Sequence, residues 1–354
     1  MISTVAVLGA GAWGTTVAKL VAEKGHDVII WCYEKETADE INKKHTNERF
    51  LPGVTLPVGL KALNSINEAV SGREFLFLAV PSLFLLDTAR QLLTVPSIRE
   101  GQTTIAVITK GFLETSRGPS LILDALEDYL PGFYRKSLVY IAGPSHAEEV
   151  SRGKITGLIS ASRNPKNAIR FRYLLKSSRL LVFASLDVRG VQVAAAVKNV
   201  IAIAFGIMDA LKTGGGNAGE MFGDNTESLL LAAGLNEIQI LGMAMGATHH
   251  ETFSSISGVG DLDVSCRSLF GRNRRFGRDI VEKNILEPFK DMDDLLAHIG
   301  EIGYFPEGVA AASYVRILAE KYRLKMPLST GLYRILNREL KPLEFLRNFL
   351  ENME

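Results

Sequence analysis

The chain has 354 residues, enough for one large or two moderate domains, and 47% of them are hydrophobic, which excludes a disordered chain. Lys and Arg number 40 against 39 Asp and Glu, so no global field favours nucleic acid or an anionic membrane surface. Cys32 and Cys266 are the two cysteines; so far apart they form neither a disulfide framework nor a zinc site, no metal centre is expected, and they fit a reducing cytoplasm.

Residues 5–8 are a short apolar run with no basic region before it, so they read as a first strand and not a signal peptide. Gly9-Ala10-Gly11-Ala12-Trp13-Gly14 follows at once, then a helix over 12–24 with Gly25 as its stop, then a strand over 27–31. Strand, glycine turn, helix and strand are the context a dinucleotide fingerprint requires. Gly9 permits the tight turn, Gly11 lets backbone approach a pyrophosphate, and Gly14 lets helix and strand pack closely. The helix N-terminus adds unpaired N–H groups for the phosphates. Just beyond strand 2 comes Glu34, placed to accept from a ribose 2′-hydroxyl and to repel a 2′-phosphate. No arginine occurs at 31–34, so NAD is expected over NADP. Tyr33 either lies against the adenine or simply packs.

The alternation continues. Ser65 with Glu68 reads as a capping box. Strands are expected over 75–80, 105–108, 138–142, 156–160 and 180–184, with a helix started by Asn164-Pro165 between the last two. Pro81-Ser82, Lys110-Gly111 and Gly143–Ser145 fall at strand ends, where open α/β sheets collect ligands. After about residue 186 the strands stop. Helices are expected over 187–211, 224–246, 258–266, 272–283, 306–321 and 328–337, and from 342 onwards. The fold class is therefore α/β: a Rossmann-type dinucleotide-binding domain over 1–186, then an all-helical substrate domain over 187–354. Gly214-Gly215-Gly216 reads as a flexible break between helices.

The stretch 187–211, DVRGVQVAAAVKNVIAIAFGIMDAL, is apolar almost throughout. Lys198 and Asn199 interrupt it, so it is expected in a protein core and not in a membrane. Lys198 shares a helix face with Val191, Ala194, Ala195, Ile201 and Ala202. Two readings stand: a lysine that snorkels to the surface, or a desolvated ammonium that exchanges protons. On the second reading methionine at 198 should be thermally silent, because it removes a charge from an apolar setting. Asp261, in Ser257-Gly258-Val259-Gly260-Asp261-Leu262, either caps a helix or orients Lys198. The run Arg272-Asn273-Arg274-Arg275 is either a solvated helix face or a phosphate clamp. His249-His250-Glu251 lacks metal-ligand spacing and reads as a surface turn.

Together these stretches resemble the NAD(P)-dependent glycerol-3-phosphate dehydrogenase family. The marks are GAGAWGT at 9–15, VPS at 80–82, TKG at 109–111, GPSHAEEV at 143–150, VQVAAAVKNVIAIAFG at 191–206, GVGDL at 258–262, RNRRFG at 272–277 and PEG at 306–308. The resemblance implies reversible hydride transfer between a nicotinamide cofactor, NAD in preference to NADP, and dihydroxyacetone phosphate, giving sn-glycerol 3-phosphate for phospholipid synthesis. It implies a homodimer that needs neither nucleic acid nor an integral membrane segment. Lys198 then resembles the general acid/base, Lys110 a second ammonium at the substrate, and Asp261 the partner of Lys198. Gly143, Ser145, Asn199, Ser265, Gly271, Arg272 and Asn273 resemble further substrate contacts. Gly9, Gly11, Ala12, Trp13, Gly14, Tyr33, Glu34, Phe84, Lys110, Ala147, Arg272, Phe305 and Glu307 resemble cofactor contacts. Departures are Gly271, where relatives often carry a hydroxyl, Glu227, Ala232 and Ala233, where a basic side chain is expected, and Asp263, at a usually apolar position. The rivals are a catalytically weak NADH-sensing module and a dehydrogenase of unphosphorylated hydroxyacids. The arginine clamp disfavours the latter.

Overall fold

A computed structural model describes residues 1–214 and 220–351; Gly215 and Gly216 of the expected glycine break lie outside them. The chain divides into two compact units, Met1–Val188 and Arg189–Glu354.

The first unit is built on strands β1 (Thr4–Leu8), β2 (Asp27–Trp31), β3 (Lys61–Leu63), β4 (Phe75–Leu78) and β5 (Thr104–Val107), a hairpin of β6 (Phe112–Thr115) and β7 (Gly118–Leu121), and strands β8 (Val139–Ala142), β9 (Thr156–Ala161) and β10 (Leu180–Ser185). Eight of these form one sheet in the order β10-β9-β8-β5-β4-β1-β2-β3. β1 to β5 and β8 run parallel, and β9 reverses against β8. The sequences TVAVL, FLFL and VYIA are almost wholly buried, as expected of strands covered on both faces. β1 pairs with β2 on one side and β4 on the other. The strand order therefore reverses beside β1, and Gly9 follows directly at that switch point.

Local signals place the helices. Gly25, at φ +83°, follows the helix Ala12–Glu23. Asn164 accepts from the N–H of Lys166 and opens Pro165–Leu175, whose last carbonyls take Lys24 Nζ at 2.7–2.9 Å. The hairpin β6–β7 escapes a hydrophobic pattern because its turn is polar. Thr115 Oγ1 donates to the Gly118 carbonyl at 2.8 Å and accepts from the Arg117 N–H.

In the second unit every regular element among the described residues is helical. Its axis is the helix Val188–Thr213, whose apolar stretch is long enough to span a membrane yet wholly buried. Glycines let its neighbours touch it backbone to backbone. A Cβ on Gly277 would lie 2.0 Å from the Ile203 carbonyl oxygen, one on Gly308 2.4 Å from that of Asn199, and one on Gly206 2.1 Å from that of Arg274. Elsewhere, buried Glu237 accepts from the N–H groups of Leu328 and Ser329 at 2.6 and 2.9 Å, anchoring the helix Pro327–Leu336; burial pushes its carboxyl up to about 6. The helix expected from 258 begins at Asp261. A wider turn over Ile256–Gly260 precedes it, packed so tightly that a Cβ on Gly258 would meet the Phe253 carbonyl.

Candidate active site

Two of the three fingerprint glycines are explained by the chain itself. Gly9 has φ +115°, and a Cβ there would lie 2.8 Å from the Ala79 backbone. A Cβ on Gly14 would lie 2.0 Å from the Gly9 carbonyl oxygen. Gly11 has an ordinary φ of −65°, and a Cβ there would meet nothing within 4 Å. It also opens the helix Ala12–Glu23 without a side-chain cap. A bare backbone and uncapped N–H groups at a sheet switch point suit a pyrophosphate. The residues therefore fit a dinucleotide.

The turn is held by residues the sequence pattern did not single out. Asn47, fully buried, donates to the Ala10 carbonyl and to Thr15 Oγ1, both at 2.8 Å. Thr15 Oγ1 donates to the same carbonyl at 3.1 Å. Nothing local in the stretch at 46–50 marks Asn47 as their partner. Ala12 and Trp13 pack with Leu51, Val54 and Ala147. Glu34 lies three residues past the end of β2, immediately before the helix Lys35–Lys44, and pairs with Arg49 at 3.2 Å. Tyr33 and Phe84 stand on the surface.

At the ends of β5 and β8 a second group forms. Lys110 Nζ donates to the Gly143 carbonyl at 3.1 Å, and Ser145 Oγ donates to the same oxygen at 3.0 Å. Gly111 and Gly143, at φ +120° and +140°, turn the chain there.

In the second unit Lys198 does not snorkel. It is 6% exposed and Asp261 1%. Lys198 Nζ donates to Asp261 Oδ1 at 2.7 Å and to Ser265 Oγ at 2.6 Å. Ser265 Oγ donates in turn to the Asp261 carbonyl at 2.7 Å, one helical turn back. Asp261 is thus no cap: it is the first residue of its helix, with its carboxylate on Lys198. The expectation that methionine at 198 is thermally silent is corrected by this pair. Removing the ammonium strands a buried carboxylate, which is strongly destabilising. Burial pushes the neighbouring Cys266 thiol up, and the Lys198 ammonium pulls it the other way.

Beside this pair, Asn199 Nδ2 donates to Glu307 Oε2 at 3.4 Å. The close approach at Gly308 is what brings Glu307 there, so the glycine of PEG matters as much as its acid. Asn273 Oδ1 accepts from the Gly308 N–H at 2.9 Å, and Phe305 lies half-buried just before. The arginine run is sorted by packing. Arg274 and Arg278 both bind Asp209, and Arg275 stacks over the Tyr304 ring at 4.3 Å. Arg272 is mostly exposed, with its guanidinium 3.8 Å from Glu307. Gly271 opens that helix with no side-chain cap. A Cβ there would lie 3.0 Å from the Ser265 and 3.2 Å from the Ser268 carbonyl oxygens, a tight fit that a small shift of the turn would relieve. Of the other departures the two acids are paired: Glu227 accepts from Lys212 at 2.9 Å and approaches Arg267 at 3.5 Å, and Asp263 takes Arg267 at 2.7 Å. His250 begins a short turn on the surface.

Comparison with known proteins agrees along the chain. Residues 4–168 match the family model described as NAD-dependent glycerol-3-phosphate dehydrogenase N-terminus, and residues 187–347 the corresponding C-terminus. The chain is 54% identical to a glycerol-3-phosphate dehydrogenase [NAD(P)+] of Treponema denticola, over 99% of both chains. It is 36% identical to one from Bacillus velezensis, over 94% of this chain and 89% of that one. The crystal structure of a glycerol-3-phosphate dehydrogenase from Coxiella burnetii superposes with a TM-score of 0.84 at 30% identity, over 99% of each chain.

Proposed function

The chain belongs to the NAD-dependent glycerol-3-phosphate dehydrogenase family, and from that premise we propose which of its residues do the chemistry. The reaction is reversible hydride transfer between NAD(P)H and the C2 carbonyl of dihydroxyacetone phosphate, giving sn-glycerol 3-phosphate for glycerophospholipid synthesis. When bound, the cofactor supplies the hydride.

Residues 1–186 are the dinucleotide-binding part and 187–354 the substrate part of this reading. The Gly9–Gly14 backbone and the uncapped turn at Ala12 hold the pyrophosphate, and Glu34 reads the ribose. Lys110, oriented by the Gly143 carbonyl, is the ammonium this unit offers the substrate. In the second unit Lys198 gives its proton to the C2 oxygen as charge develops there, and takes it back in the reverse direction. Asp261 and Ser265 aim the ammonium and keep it charged until transfer. Arg272, the Asn273 amide and the first backbone N–H groups of the helix Arg272–Glu282 grip the phosphate. The observation that carries the assignment is the 2.7 Å contact of a 6% exposed Lys198 with Asp261. A lysine is almost never buried unless paired, and a buried ammonium held on a carboxylate and a hydroxyl is the arrangement a proton donor needs. A homodimer in the cytoplasm completes the proposal, on the strength of the family resemblance; sedimentation of the purified chain measures the first part.

Following NADH and NADPH absorbance separately tests the whole reading, with dihydroxyacetone phosphate and with unphosphorylated dihydroxyacetone. Oxidation is expected with the phosphorylated ketone, faster with NADH. Silence with dihydroxyacetone phosphate would favour a sensing module, and equal rates on both ketones would remove the phosphate clamp.

A further inference from the structure

No arginine occurs at 31–34, yet folding brings one to Glu34 from the loop that follows the next helix. Arg49 Nη1 lies 3.2 Å from Glu34 Oε1. We propose that Arg49 is a second reader of the adenosine ribose, one that takes the 2′-phosphate Glu34 alone would repel. The inference rests on the dinucleotide reading above and adds to it the residue that admits both cofactors.

Three observations carry it. First, Arg49 is fixed relative to the glycine turn. Its loop is pinned by buried Asn47, which donates to Ala10 of that turn and to Thr15. The N–H groups of Phe50 and Leu51 return to the Asn47 carbonyl at 3.3 and 2.8 Å, and Leu51 packs with Trp13. Second, the guanidinium is positioned by two contacts. It lies over the Phe50 ring, 4.9 Å from its centroid, with its edge on Glu34. Third, the pair is open to a ligand. The Arg49 side chain is 63% exposed and that of Glu34 29%.

An ion pair this exposed contributes little to stability, so a ligand breaks it at little cost. The two cofactors then meet different halves of it. A 2′-hydroxyl donates to the Glu34 carboxylate while Arg49 keeps its partner. A 2′-phosphate brings negative charge against Glu34, and Arg49 turns its planar fork from carboxylate to phosphate. The carboxylate still disfavours the phosphate, so NADH stays the tighter ligand, but the guanidinium narrows the gap.

The test is the ratio of dissociation constants, NADPH over NADH, measured by fluorescence titration of the full chain, with displacement by adenosine 2′,5′-bisphosphate as an independent probe. Arg49→Ala is expected to raise the ratio by about tenfold or more and to weaken the bisphosphate. Glu34→Gln is expected to lower the ratio. A ratio for Arg49→Ala within about threefold of the wild type, equal weakening of both cofactors, or no change in Glu34→Gln would overturn the role of the pair. A wild type that binds neither NADH nor NADPH would instead overturn the dinucleotide reading, leaving the two failures distinct.

Discussion

At residues 9–14 the groups offered to a ligand are backbone N–H, and what matters about the side chains is their absence. Around Lys198 the groups are side chains from several helices, and the backbone's part is to bring those helices close. Both regions depend on glycine, for different reasons. Gly11 keeps open space open, whereas Gly277 and Gly308 let helices meet with carbonyl oxygens where a Cβ would stand. A site made of backbone is specified by one short stretch. A site made of side chains is specified by packing, so its failures should couple chemistry to stability.

The sharpest test of that coupling is Lys198→Met. Loss of a general acid costs about 10²–10⁴ in rate, and loss of charge stabilisation at the forming alkoxide adds to it. NADH affinity, which the glycine turn provides, should hold. The variant should also lose stability, since stranding one member of a buried pair costs about 3–5 kcal/mol. Lys198→Met combined with Asp261→Asn should recover most of the melting temperature and none of the turnover. Activity within tenfold of wild type would end the acid/base assignment, and an unchanged melting temperature in the single variant would end the coupling.

Next in size is Arg272→Ala. Arg274 and Arg278 are committed to buried Asp209, while Arg272 is mostly exposed, so its replacement should spare the fold. A charge-assisted contact to phosphate is worth about 1.5–3 kcal/mol, or about tenfold to more than a hundredfold in KM for dihydroxyacetone phosphate. Unphosphorylated dihydroxyacetone is the control: if its kcat/KM falls equally, Arg272 does not hold the phosphate.

The smallest effect belongs to the backbone-built region and separates its glycines. Gly11→Ala meets nothing inside the chain, so the melting temperature should stay put while NADH binds about tenfold more weakly, or about 1.4 kcal/mol. Gly14→Ala would press on the Gly9 carbonyl and should lower the melting temperature as well. Unaltered NADH binding in Gly11→Ala would remove the ligand from that face of the turn.

Most of the architecture was open to reading along the chain. Buried parallel strands are continuous apolar runs, and the glycine turn is a local signal of six residues, so both survive without tertiary knowledge. Lys198 stood out because a charge in an apolar helix is costly and so conspicuous. Its burial was not legible, since a snorkelling lysine has the same neighbours in sequence; the docking of the helix that carries Asp261 decided it. The same holds for Arg49 and Asn47, which lie in a polar loop with no periodicity and acquire meaning only where that loop folds back on β2 and the glycine turn. The hairpin β6–β7 and the reversal of β9 were hidden for a related reason, because strand pairing depends on partners distant along the chain. Sequence by itself determined what is periodic or local: most of the strands and helices, the glycine turn and the charge set in an apolar helix. Tertiary structure decided which arginine is spent on Asp209 and which is left for a phosphate, and which carboxylate meets which cation. Those are contacts between side chains far apart in sequence, and they are set by the packing of backbones that have no Cβ between them.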